Sequence, residues 1–75
     1  LKEIVILAEG QGRVTRLPAG EGDSFEKGTL LAVTEFMGME TDFFAPSRGV
    51  VLKVSVSEGA FVQPGEELLT LQIEV

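Results

Sequence analysis

Glu21-Gly22-Asp23-Ser24-Phe25-Glu26-Lys27-Gly28 returns later in the chain as Glu58-Gly59-Ala60-Phe61-Val62-Gln63-Pro64-Gly65, at an offset of 37 residues. The same offset carries Gly12 onto Gly49, so three glycines in each half keep spacings of ten and six. It also pairs Val14 with Val51, Arg16 with Lys53, Leu17 with Val54 and Leu31 with Leu68. Chance aligns glycines in a glycine-rich chain, but it rarely aligns apolar and charged positions along with them. Two repeats are too few for a solenoid, which needs at least three units. They predict a single domain, residues 1–75, whose halves (about 1–37 and 38–75) bury their apolar faces against each other around a pseudo-two-fold.

Each half reads as short strands. Ile4 to Leu7 are apolar, Leu30 to Thr34 carry apolar residues at adjacent positions, and Val50, Leu52, Val54 and Val56 alternate with Val51, Lys53, Ser55 and Ser57. No segment has a helical period. Gly or Pro falls every six to ten residues along much of the chain, which leaves room for short strands and tight turns only. An all-β sandwich or flattened barrel follows. The repeat-matched Val51, Val54 and Val56 change parity between the first two, which predicts a bulge that lets one strand serve both sheets.

Composition excludes several classes of function. A chain of 75 residues hides only about 60% of its unfolded surface, so the core must be well patterned. There is no cysteine, hence no disulfide and no thiolate metal ligand. The net charge of −6 is spread along the chain, without the basic stripe that nucleic-acid binding requires. No apolar run approaches the ~18 residues of a membrane span and no signal-peptide pattern is visible, which predicts a cytoplasmic location.

Five segments share one spacing: Gly12-Arg13-Val14, Glu21 to Gly28, Glu35-Phe36-Met37-Gly38-Met39-Glu40, Ala45-Pro46-Ser47-Arg48-Gly49-Val50-Val51, and Glu58 to Gly65. As a set they resemble the biotinyl/lipoyl attachment domain family, and its biotinyl (biotin carboxyl carrier-like) branch in particular, over essentially the whole chain. The resemblance implies a barrel-sandwich hybrid of two four-stranded antiparallel sheets, with an exposed hairpin at the end opposite the termini. In such domains the hairpin reads Ala-Met-Lys-Met and its lysine carries biotin. Here it reads Phe36-Met37-Gly38-Met39. Gly38 stands at the attachment-equivalent position between Met37 and Met39, and glycine offers no amine to acylate.

The lysines, Lys2, Lys27 and Lys53, all lie outside that hairpin by the repeat alignment. The expected cofactor is therefore none, where the resembling family holds biotin. Phe36 replaces the small residue usual before the first methionine, and Phe44 occupies a position usually polar. This concerted drift favours a natural non-carrying relative over a single lysine replacement. Catalysis has little to work with, since His, Cys and Tyr are absent. The acids Glu21, Asp23, Glu26, Glu66 and Glu67 sit in repeat-related turns and read as solvated loop charges, with no metal site. Gly10-Gln11-Gly12 and Gly20-Glu21-Gly22 precede no helix that would aim amides at a phosphate.

Phe36, Met37, Met39 and Phe44 are the interaction candidates, because methionine adapts at binding surfaces and aromatics anchor interfaces. Phe25, Phe43 and Phe61 read as core or rim. The expected function is a non-enzymatic protein-interaction or scaffold module, a carrier-like domain without biotin. Its partner surface would belong to a biotin carboxylase, a carboxyltransferase or a biotin ligase. Two alternatives stand beside it: an authentic carrier domain of a biotin-dependent carboxylase or decarboxylase whose lysine was substituted, and a lipoyl-like structural spacer of a membrane-fusion adaptor.

Overall fold

The turns at the repeated glycines leave eight strands: β1 (Lys2–Leu7), β2 (Gly12–Arg16), β3 (Ser24–Phe25), β4 (Leu30–Phe36), β5 (Met39–Phe44), β6 (Gly49–Val54), β7 (Phe61–Val62) and β8 (Glu67–Ile73). This computed structural model describes residues 1–75. The strands form two antiparallel four-stranded sheets, ordered β1-β8-β6-β3 and β5-β4-β2-β7. The architecture is the all-β, two-sheet one that the glycine spacing predicts.

Strands β1 and β5, β2 and β6, β3 and β7, and β4 and β8 each begin 37 residues apart. Exchanging every strand for its mate turns one sheet order into the other. Irregularities obey the same rule. Leu31 is skipped where β4 pairs with β5, as Leu68 is where β8 pairs with β1. Thr15 in β2 and Leu52 in β6 are skipped likewise against β4 and β8. Turn hydrogen bonds repeat too: the Gly22 N–H donates to the Val51 carbonyl at 2.8 Å, and the Gly59 N–H to the Val14 carbonyl at 2.7 Å.

Between the sheets lie Val14 and Val51, Phe25 and Val62, Leu31 and Leu68, and Ala8 and Ala45, all buried, with Leu17 and Val54 partly buried at the margin. Fully burying a side chain of leucine size contributes about 1.5–3 kcal/mol, so these symmetric layers dominate stability in a chain this small. The close approach of β6 to β8 requires glycine at 49, where a Cβ would overlap the backbone carbonyl oxygen of Gln72. At the mate position, Gly12, a Cβ would stand 2.9 Å from the Glu35 carbonyl oxygen.

One expectation is corrected. The bulge in β6 is real and flips the parity, so that Val51 is buried, Leu52 exposed and Val54 partly inward. It does not let the strand serve both sheets: β6 pairs with β3 and β8 alone. The strand also ends at Val54, short of Ser57, and the Ser55 N–H donates to the Leu68 carbonyl as the chain leaves. An extra residue in a bulge raises local twist and bends the strand, without carrying it into the facing sheet. No helix of the chain is long and apolar enough to cross a membrane. The domain is elongated, 36 × 18 × 17 Å.

Candidate functional site at the Met37-Gly38 hairpin

Strands β4 and β5 pair from Leu30 opposite Phe44 to Phe36 opposite Met39, leaving Met37-Gly38 as a two-residue loop. Both loop residues have positive φ, +53° at Met37 and +80° at Gly38, the pattern of a type I′ turn that suits the twist of a hairpin. Glycine takes that conformation freely, whereas Met37 holds it at a cost of about 1–2 kcal/mol. A Cβ at position 38 would meet no atom within 4 Å, so the tip is open to solvent.

Met37 is 86% exposed and Met39 77%. Phe36, at 39%, leans on Phe61, with ring centroids 6.4 Å apart and planes 63° apart. Such an edge-to-face pair is worth about 0.5–1.5 kcal/mol beyond its buried area. Arg13 secures the strand beneath. It pairs with Phe61 on one side and Glu35 on the other, and its Nη1 donates to the Gly59 carbonyl at 2.7 Å. The tip is thus an apolar surface of two thioethers and two rings, braced from β2 and β7.

The pseudo-two-fold supplies an internal control. The counterparts of Phe36, Met37 and Gly38 are Ile73, Glu74 and Val75. Ile73 is buried, Arg48 Nε lies 3.2 Å from Glu74 Oε2, the Ser47 hydroxyl donates to the Glu74 carbonyl at 2.7 Å, and the Glu74 N–H donates to the Arg48 carbonyl at 2.9 Å. The counterparts of Ser47 and Arg48 beside the hairpin are Gly10 and Gln11. Polar contacts hold the last strand at the terminus end, where Leu1 and Val75 are also exposed; at the hairpin end the exposed apolar side chains are those of Met37 and Met39.

The structure brings Phe36, Met37, Gly38 and Met39 together, and it separates Phe44 from them. Phe44 is 54% exposed at the far end of β5. At about 3.4 Å per strand residue, the five steps from Met39 exceed the reach of any side chain at the tip. Phe61 belongs to the site although the sequence marked it only as core or rim. Val62 is fully buried and its neighbour Phe61 turns outward at 47% exposure. Among the other candidates, carboxylates serve turn amides. Asp23 accepts from the Gly20 N–H at 2.8 Å, Glu66 from the Gln63 N–H at 2.9 Å and Glu58 from the Leu17 N–H at 3.3 Å. Lys2 opens β1 opposite Ile73, Lys53 lies on β6 opposite Thr70, and Lys27 sits in the turn before β4.

Two symmetric antiparallel sheets with one exposed hairpin define a carrier-type domain. The family model described as "Biotin-requiring enzyme" matches residues 3–71, and the chain belongs to this biotin/lipoyl attachment family. It is 38% identical over 60 residues to the Biotin/lipoyl attachment protein of Bacillus subtilis, covering 80% of this chain and 82% of that protein. It is 39% identical over 61 residues to the Biotinylated protein TB7.3 homolog of Mycobacterium leprae, covering 81% and 86%. Similarity extends to a part of pyruvate carboxylase from Bacillus subtilis, 36% over 67 residues, which is 89% of this chain and 6% of that enzyme. A solved single-chain, multi-domain long-chain acyl-CoA carboxylase superposes with a TM-score of 0.89 at 30% identity, over 97% of this chain and 7% of that one.

Proposed function

We propose that the chain is a carrier-like interaction module that bears no biotin: it offers the hairpin surface of a carboxyl carrier without an amine to acylate. The observation that carries this reading is the exposed apolar tip, Phe36, Met37, Gly38 and Met39, in a hairpin without a lysine. Biotin attachment requires an ε-amine that attacks an activated biotin carboxyl group, and the three lysines all lie off the hairpin. The partner in this reading is the protein surface that normally receives such a hairpin, on a biotin carboxylase, a carboxyltransferase or a biotin ligase. Its setting is cytoplasmic, and the module has no catalytic step of its own.

Competition tests this. An intact biotin carrier domain is biotinylated by its ligase in the presence of increasing amounts of this chain. The account expects slower labelling with the wild-type chain and no inhibition with a Met37→Ser, Met39→Ser variant. Labelling at an unchanged rate in excess wild-type chain would remove the ligase as partner; the same assay run on carboxylation of the carrier addresses the carboxylase.

A second reading has its own support. The paired methionines and the similarity to a segment of pyruvate carboxylase favour an authentic carrier domain in which glycine replaced the lysine. Restored carboxyl transfer in the parent enzyme on Gly38→Lys would select it.

A further inference from the structure

Strands β1 and β5 are the outer strands of different sheets, and each has one edge without a strand partner. β1 runs inward from the chain termini and β5 inward from the hairpin, and their last residues line one cleft of about 400 Å³ at the waist of the domain. Leu7 and Phe44, which the 37-residue offset relates, stand on its two walls. They are 46% and 54% exposed, and Val5 adds a third apolar side chain at 43%. Phe43 is buried beneath. The cleft also holds two carboxylates, Glu9 and Asp42. Neither forms an ion pair: the pair in this chain joins Arg48 and Glu74, just outside β6 and β8.

This surface is distinct from the hairpin tip and has different chemistry. Free strand edges offer a row of unpaired N–H and C=O groups, which natural sheets usually cover or defend with lysine, proline or short length. β1 and β5 each run six residues, and lysine appears on them only at Lys2, the end remote from the cleft. The complement is an extended backbone whose apolar side chains fill the space between Leu7 and Phe44 and whose cations meet Glu9 and Asp42. A second copy fits poorly, because a two-fold pairing of these seams would oppose acidic groups of two chains that each carry −6.

We propose that this waist seam is a strand-docking site for an extended partner segment that carries an apolar residue and lysine or arginine two positions from it, on one face. Backbone pairing with a free edge holds the segment, the Leu7–Phe44 cleft selects its apolar side chains, and the two carboxylates select its charge.

The probe is a capped peptide, Lys-Thr-Phe-Thr-Lys, titrated into the isotope-labelled chain, with Glu-Thr-Phe-Thr-Glu as control. Amide shifts should concentrate at residues 5–9 and 42–44, and edge amides of β1 or β5 should exchange more slowly. Asp42→Lys combined with Phe44→Ser changes exposed side chains only, and should weaken binding about tenfold or more, while Met37→Ser, Met39→Ser leaves it unchanged. Binding should also fall as salt is raised. The proposal is overturned by absent or scattered shifts, by equal binding of the acidic peptide, or by a self-association of the chain that maps to the seam. None of these outcomes bears on the hairpin.

Discussion

The hairpin end and the terminus end of this domain are built from the same half-motif and held by different contacts. At the terminus end Ile73 is buried, and Arg48, Ser47 and Glu74 tie the last strand to the turn before β6. At the hairpin end Phe36 is only half covered, Met37 and Met39 cover nothing, and Gly10 and Gln11 stand where Ser47 and Arg48 stand in the mate. The same half-motif therefore accepts different contacts at its end, and on the hairpin it leaves Met37 and Met39 exposed.

The comparison breaks first in the core, if it breaks at all. Leu31→Ala and Leu68→Ala remove symmetry-related, fully buried side chains, and each should cost about 2–5 kcal/mol by urea unfolding. Similar losses are expected. A value near zero for either would mean that the halves do not share one core. The next largest effect concerns close approach. Gly49→Ala forces β6 away from the Gln72 carbonyl and should cost about 1–3 kcal/mol, more than Gly12→Ala beside the hairpin. The reverse order would show that the hairpin end is the more tightly packed one.

Smaller effects sharpen the contrast between the ends. Phe36→Ala removes the edge-to-face contact with Phe61 and should lower stability by about 0.5–1.5 kcal/mol. Arg48→Ala breaks an exposed ion pair and should cost only about 0–1 kcal/mol, less at high salt. A larger loss at Arg48 than at Phe36 would make the polar tie, and not the aromatic brace, the stronger contact.

Much of this was legible in the sequence because the glycine pattern marks turns directly. The offset that aligns Gly12, Gly22 and Gly28 with Gly49, Gly59 and Gly65 also aligns every strand and both kinds of bulge. The tip residues were legible too, since a Met-Gly dipeptide between strands leaves little choice of turn. Phe44, named as a candidate for its aromatic ring at a usually polar position, lies away from the tip, because a linear motif does not report which end of a strand a residue occupies. Phe61 was undervalued because β7 has only two residues, too few for alternation to declare a face. The waist seam was invisible for a different reason: it joins β1 to β5, whose relation to each other depends on the order of strands in two sheets.

The central claim is that the hairpin keeps the surface of a carrier while lacking its chemistry. Intact mass, measured after incubation with biotin, ATP and a biotin protein ligase, tests it most directly. The account predicts no change for the wild-type chain, a biotin adduct on Gly38→Lys, and faster labelling when Phe36→Ala is added. Because no atom crowds position 38, the lysine costs only the modest strain of its positive φ. A stoichiometric adduct on the wild-type chain, or none on either folded lysine variant, would contradict it.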